Sequence, residues 1–168
     1  MANVILPSPS GEQPQSILSP TLIIAVTLFM ETMEATAVAT ALPRMALDFN
    51  ESPVALKLAL TVYMIGLAIF IPLSTWLADR FGTRTVFRNA IALFLLGSLG
   101  CAIAPNLTTL VLARFIQAIG GAMMVPVGRL VLLKTVPKDA IVTALSRLAM
   151  PAMLGPICGP VIGGMITT

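Results

Sequence analysis

Five long apolar stretches, separated by links of at most 11 residues, limit the fold of this chain more than any other feature. They cover about residues 18–43, 54–78, 86–104, 107–128 and 140–166. A helix that crosses the hydrocarbon core of a bilayer needs about 20 mostly apolar residues, and each stretch meets or approaches that length. We therefore predict an all-α integral membrane protein with five transmembrane helices.

The low charge content supports the same conclusion. Only 10% of the 168 residues are charged, whereas a soluble domain carries about 25%. The chain has no histidine, and its two cysteines, Cys101 and Cys158, lie in apolar runs, where they are expected to act as small apolar side chains. We expect no metal site, no disulfide and no cofactor. Because the basic residues sit beside apolar runs, we expect no nucleic-acid partner either.

The basic residues also predict an orientation. The link between spans 2 and 3 and the region around the link between spans 4 and 5 hold seven Lys and Arg residues, while the opposite side holds only Arg44 and Lys57. An excess of Lys and Arg marks the cytoplasmic side of a membrane protein. The amino terminus is therefore expected to be cytoplasmic. Residues 1–16, which are rich in Pro and Ser, are expected to form a disordered tail ahead of a transmembrane bundle at 17–168. The seven basic residues on the side expected to be cytoplasmic are Arg80, Arg84, Arg88, Arg129, Lys134, Lys138 and Arg147.

Two spans carry ionisable residues at depth. Glu34 lies nine residues before Pro43, taken as the outer end of span 1, which places it roughly 13 Å into the membrane. Arg114 lies seven residues after Leu107, at roughly 10 Å on an antiparallel helix. A charge at such depth costs roughly 2.5–3.5 kcal/mol on insertion scales, so these groups are expected to face a watery cavity or each other.

The acidic pair suggests proton handling, although a structural role is an alternative. Glu31 and Glu34 are three residues apart and share one helix face, so with a nearby cation they could load and release a proton. Arg114 and Gln117 stand 12 and 9 residues before Pro126, the same offsets that Glu31 and Glu34 have from Pro43. Matching offsets suit an inverted three-plus-three repeat with a site where the repeats meet. The alternative is a static Glu–Arg pair that only holds helices together.

Two further motifs accompany these residues. In "WLADRFGTR" after span 2, Gly82 permits a tight turn and the charges anchor the inner face of the membrane. A plain positive-inside anchor, with no further function, is one interpretation of this motif. In span 5, "GPICGPVIGG" repeats glycine every four residues, which bares one helix face for close packing, and its prolines remove backbone donors. The residues concerned are Asp79, Arg80, Gly82 and Arg84 in the first motif and Gly155, Gly159, Pro160, Gly163 and Gly164 in the second.

Together these motifs resemble those of major facilitator transporters, most closely the drug:proton antiporters of the 14-span branch. "METMEATAVATALP" resembles the span-1 motif of that family, with Glu34 in the place of its aspartate, and "RFIQAIGGA" resembles its span-4 motif through Arg114 and Gln117. The resemblance implies that Glu34, Glu31, Arg114 and Gln117 serve proton coupling or line the substrate cavity. It implies that "DRFGTR" latches a cytoplasmic gate, and that "GPICGPVIGG" marks an antiporter.

The resemblance also implies a partner for this chain. Family members have 12 or 14 spans, so five spans form an incomplete amino-terminal six-helix bundle. We expect an amino-terminal fragment of a multidrug efflux transporter of the cell membrane, with drug-like amphiphilic substrates, protons, lipid and the missing carboxyl-terminal half as partners. Alone it is not expected to transport, and the glycine face of span 5 would meet lipid. One alternative is a stand-alone five-span protein that dimerises or has a structural or regulatory role. A membrane enzyme is a further alternative, but no nucleophile–base pair supports it.

Overall fold

The computed structural model describes the backbone of residues 15–167 and the side chains of residues 21–165 other than Asp139. Five α-helices make up nearly all of this part of the chain, with a single 3₁₀ turn at Lys138–Ala140 before the last of them. No strand occurs among the described residues. The helices are α1 (Gln15–Asp48), α2 (Pro53–Phe81), α3 (Thr83–Ala102), α4 (Leu107–Thr135) and α5 (Ile141–Thr167).

All five helices are long and apolar enough to cross a membrane. The prediction of an all-α protein with five spans is therefore confirmed, although most helices run several residues beyond the predicted bounds. The predicted tail at 1–16 lies outside the described residues except for Gln15 and Ser16, which begin α1.

Helix α1 continues past Pro43, and the prediction that Pro43 ends the first span is wrong. The helix ends at Asp48. Leu42 and Ala46, on either side of this proline, are buried and pack with Leu56 near the start of α2. This packing stabilises the last turns of α1 in spite of the backbone donor that proline lacks.

The connection between α2 and α3 is also shorter than predicted. The sequence suggested a loop over "DRFGTRT", but only Gly82 separates the two helices. Its φ of +85° lies in a region that glycine enters without steric penalty, so one residue suffices to turn the chain. Asp79 and Arg80 consequently belong to the last turn of α2, and Arg84 belongs to the first turn of α3.

Glycines set the distance between the most closely packed helices. Helices α3 and α4 are antiparallel, with Gly97 against Gln117 and Gly120 against Phe94. Helices α1 and α5 are parallel, and they pack along much of their length. The largest buried cluster draws residues from all five helices, chiefly from α1, α3 and α4, and includes Ile24, Phe87, Phe94, Met124, Val127 and Leu132.

The glycine face of α5 contacts α1, so the expectation that it meets lipid is wrong. A Cβ atom at Gly155, Gly159 or Gly163 would overlap with the hydroxyl of Thr32, Thr36 or Thr40 respectively. Both series repeat every four residues, so three glycines face three threonines along parallel helices. We expected lipid contact because we took the second half of a transporter to be the only partner for this face, whereas the partner is α1 of the same bundle.

Candidate functional site

A buried polar network joins α1 and α4 near the middle of the spans. Arg114 Nη1 donates to Gln117 Oε1 at 2.9 Å and lies 3.5 Å from Glu34 Oε1. Gln117 Nε2 in turn donates to the same Oε1 of Glu34. Arg114 is only 3% exposed and Gln117 is fully buried. The structure therefore brings together three of the four residues that the sequence proposed for coupling.

Helix geometry explains how α4 presents this network. Arg114 and Gln117 are three residues apart, so their side chains leave the same face of the helix. Gln117 can lie against α3 because residue 97 is glycine, since a Cβ there would come within 2.6 Å of the Gln117 backbone nitrogen. Leu107, seven residues before Arg114, is the first residue of α4, as predicted.

Glu31 lies one turn before Glu34 on α1 and is incompletely paired. Its Oε2 atom is buried without a hydrogen-bond partner among the described residues. A Cβ at Gly121 of α4 would lie 3.7 Å from Glu31 Oε1 and 2.9 Å from the hydroxyl of Tyr63. Glycine at this position therefore leaves room for a carboxylate from α1 and a phenol from α2 on the same side of α4.

Tyr63 is a member of the site that the sequence interpretation missed. It is 4% exposed, and its ring centroid lies 5.8 Å from Arg114 Cζ, within the range of a cation–π interaction. The sequence did contain a signal for Tyr63, since it is the only tyrosine of the chain and falls within an apolar span. Tyrosine in such a span needs a polar neighbour for its hydroxyl.

Two further features of the network bear on its chemistry. Cys101 of α3, which we had assigned to apolar packing, has its Sγ atom 3.8 Å from Gln117 Oε1. Arg114 Nε is buried and, like Glu31 Oε2, has no hydrogen-bond partner among the described residues. A buried polar group without a partner is costly, so the site retains one donor and one acceptor that a proton, a water molecule or a substrate group could engage.

The predicted gate residues lie together at one end of the bundle, away from this network. Asp79, Arg80, Gly82 and Arg84 are exposed around the turn between α2 and α3. Arg80 Cζ lies 5.8 Å from the ring centroid of Trp76 and 6.0 Å from that of Phe81. Among the described side chains, no carboxylate lies within 4 Å of either arginine of this motif.

The glycine motif of α5 contacts the turn of α1 that carries the acids. Gly155 faces Thr32 and the Met33 backbone nitrogen, and Gly159 faces Thr36 and the Met33 carbonyl oxygen. The threonine hydroxyls donate to carbonyl oxygens of their own helix, so they need no partner on α5. Pro160 lies within α5, and a Cβ at Gly164 would meet no heavy atom of the described residues within 4 Å. Helix α5 thus positions the segment between Glu31 and Glu34 by backbone proximity.

Comparison with known proteins gives a consistent family match. The sequence profile of the Major Facilitator Superfamily matches residues 24–168. The multidrug resistance protein MdtD of Cronobacter sakazakii is 45% identical over 153 residues, which are 91% of this chain and 32% of that protein. MdtD of Pectobacterium atrosepticum is 46% identical over 154 residues, or 92% and 33%.

A relative with a different name gives the same result. The transport protein HsrA of Haemophilus influenzae is 45% identical over 144 residues, which are 86% of this chain and 31% of that protein. The chain therefore spans about a third of the length of the curated relatives it matches.

Proposed function

We propose that this chain, which belongs to the Major Facilitator Superfamily, is the amino-terminal part of a proton-coupled multidrug efflux transporter. It is a multi-pass membrane protein, with five helices that can cross a bilayer. The proposal extends to it what the names of its relatives state, multidrug resistance and transport. In this proposal the protein resides in the cell membrane with its amino terminus in the cytoplasm.

The observation that carries the proposal is the network of Glu34, Arg114 and Gln117 beside Glu31, whose Oε2 has no hydrogen-bond partner among the described residues. Burying a charged pair is expensive, and an intramembrane ionisable residue most often serves transport or proton transfer. Glu34 is residue 14 of the 28-residue apolar segment Thr21–Asp48, which places it roughly 20 Å from either end. Neither face of the membrane is near, so a proton that reaches this carboxylate is about halfway across.

The geometry suggests how the network could couple protons to substrate. A proton on Glu34 removes the charge that attracts Arg114, and Gln117, which bridges the two, is then free to change its acceptor. Arg114 is left with its second attraction, to the face of Tyr63. In our proposal Glu31 supplies the second carboxylate, whose free oxygen can take a proton or face a cationic group of a substrate.

The remaining motifs receive supporting roles in the proposal. The contact of Gly155 and Gly159 with Thr32 and Thr36 fixes the segment of α1 that carries both acids, so a movement of α5 would be transmitted to the network. The exposed residues around Gly82 are available to latch against a second bundle on the cytoplasmic side. Substrates would be small amphiphilic compounds, with lipid around the bundle.

The proposal predicts efflux that depends on a pH gradient. Everted membrane vesicles from cells expressing the full-length gene product should accumulate a fluorescent amphiphilic dye such as ethidium when acidified inside, because protons leaving the lumen drive dye into it. Transport should stop when an ionophore collapses the pH gradient and should persist when ATP is removed but the gradient is kept. Vesicles from cells without the gene give the background. Dye movement that requires ATP, or that survives collapse of the pH gradient, would contradict proton coupling.

A further inference from the structure

A groove lies at the end of the bundle where α1 and α3 begin and α4 ends. It encloses about 210 Å³. Two of its lining residues pack against Gly128 of α4, where an added Cβ would lie 3.0 Å from Ile24 and 3.2 Å from Phe87. Its lining is otherwise apolar except for two arginines, and comprises Ile23, Ile24, Phe87, Ile91, Val131, Arg84 and Arg88.

The two arginines give this groove a cationic rim. Arg84 and Arg88 are one helical turn apart on α3 and both are exposed, so they project from the same face. A second cleft of about 290 Å³ shares Arg84 and Val131 with the groove and adds Lys134. Lys134 Nζ lies 3.4 Å from Thr83 Oγ1, which holds it beside the start of α3.

Among the described side chains no carboxylate lies within 4 Å of Arg84, Arg88 or Lys134; the described acid at this end of the bundle, Asp79, makes no ion pair with them. The ion pairs among the described side chains are Arg44–Asp48 and Arg114–Glu34, and neither involves a residue of the groove. Two cations that line the apolar groove and a third in the adjoining cleft therefore offer a site for one negative charge joined to a long apolar group.

We propose that the groove binds an anionic phospholipid, with one acyl chain along Ile23, Ile91 and Val131 and the phosphate between Arg84, Arg88 and Lys134. A free anion would use the rim and leave the apolar walls in contact with lipid tails. A zwitterionic lipid would fill the walls, but its own cation would weaken the attraction to three basic groups. Basic residues beside a membrane span attract anionic headgroups in this way, and here the groove fixes the lipid at one place.

The test compares lipid retention by the purified chain in detergent micelles. Phosphatidylglycerol or phosphatidylcholine with the same acyl chains is added, and native mass spectrometry counts the lipid that remains bound. We expect one phosphatidylglycerol to be retained in preference to phosphatidylcholine. The double variant Arg84→Gln with Arg88→Gln should weaken the retention of phosphatidylglycerol by about thirtyfold. The double variant Arg44→Gln with Lys57→Gln removes the same charge at the other end of the bundle and should retain it normally.

Two further arms separate the groove from its rim and test other occupants. Ile91→Trp keeps every charge but fills the groove, and it should also weaken retention; normal retention by this variant would overturn the acyl-chain part of the proposal. Excess inorganic phosphate should not displace the lipid, and displacement would assign the rim to a free anion. Equal retention of both lipids would overturn the proposal, and so would a dimer of the chain that forms without lipid and is lost in the double arginine variant.

Discussion

Replacing Arg114 by methionine is expected to lower the free energy of unfolding by about 3–5 kcal/mol, the usual cost of removing one partner from a buried ion pair. Arg114 is 3% exposed and lies 3.5 Å from the Glu34 carboxylate. Methionine has a similar volume, so the loss comes mainly from a carboxylate left in an apolar interior without a cation. Unfolding in a series of increasing sodium dodecyl sulfate fractions would measure it.

The chain offers a control and a rescue for this prediction. Arg44 pairs with Asp48 at 3.8 Å, but both side chains are more than half exposed, so Arg44→Met should cost less than about 1 kcal/mol. Adding Glu34→Gln to Arg114→Met removes the stranded charge and should restore part of the lost stability. Equal effects of Arg114→Met and Arg44→Met would show that the buried pair contributes little to the fold.

Replacing Gly159 by leucine is expected to separate α1 from α5 and to cost about 3 kcal/mol, the upper range for overpacked interiors. A Cβ at this position already falls 2.6 Å from the Met33 carbonyl oxygen and overlaps with Thr36. The obstacle is backbone, which cannot change rotamer, so the helices must move apart. The same unfolding titration measures the loss, and a cysteine crosslink between α1 and α5 would report the separation.

Gly164 supplies the matched control for the glycine face. It lies in the same helix, and a Cβ there would meet no heavy atom within 4 Å in the part of the chain that the structure describes. Gly164→Leu should therefore leave stability nearly unchanged or raise it, because leucine favours the helix over glycine. Thr36→Ala should recover part of the loss caused by Gly159→Leu. If the two glycine variants behave alike, close packing of α5 on α1 is not what requires glycine at residue 159.

The number of helices was predictable from the sequence, but their ends were not. Each span needed only its own apolar residues to be recognised. Pro43 and "DRFGTRT" gave local signals for helix ends, yet the packing of Leu42 and Ala46 on Leu56 extends α1 beyond its proline. At Gly82 one residue with a positive φ replaces the predicted loop. Contacts between helices decide where such helices end, and these contacts cannot be inferred from a local sequence pattern.

The site was predictable only where charge marked it. Glu34, Arg114 and Gln117 stood out because polar groups are expensive at that depth, and the structure places them in contact. Tyr63 was missed because its ring is mostly apolar, and Cys101 because a thiol in an apolar run resembles packing. The pairing of three glycines with three threonines needed the relative position of α1 and α5, which no spacing within either helix reveals.

The central claim is that Glu34 couples protons to substrate and does not merely anchor Arg114. The full-length gene product in liposomes should accumulate an amphiphilic dye against its gradient when a pH gradient is imposed. Glu51, an exposed acid between α1 and α2, gives the control variant Glu51→Gln, which should accumulate dye normally. We predict that Glu34→Gln still lets dye move down its gradient but no longer accumulates it in response to the pH gradient. Accumulation by Glu34→Gln at the level of the unmodified protein would contradict the account.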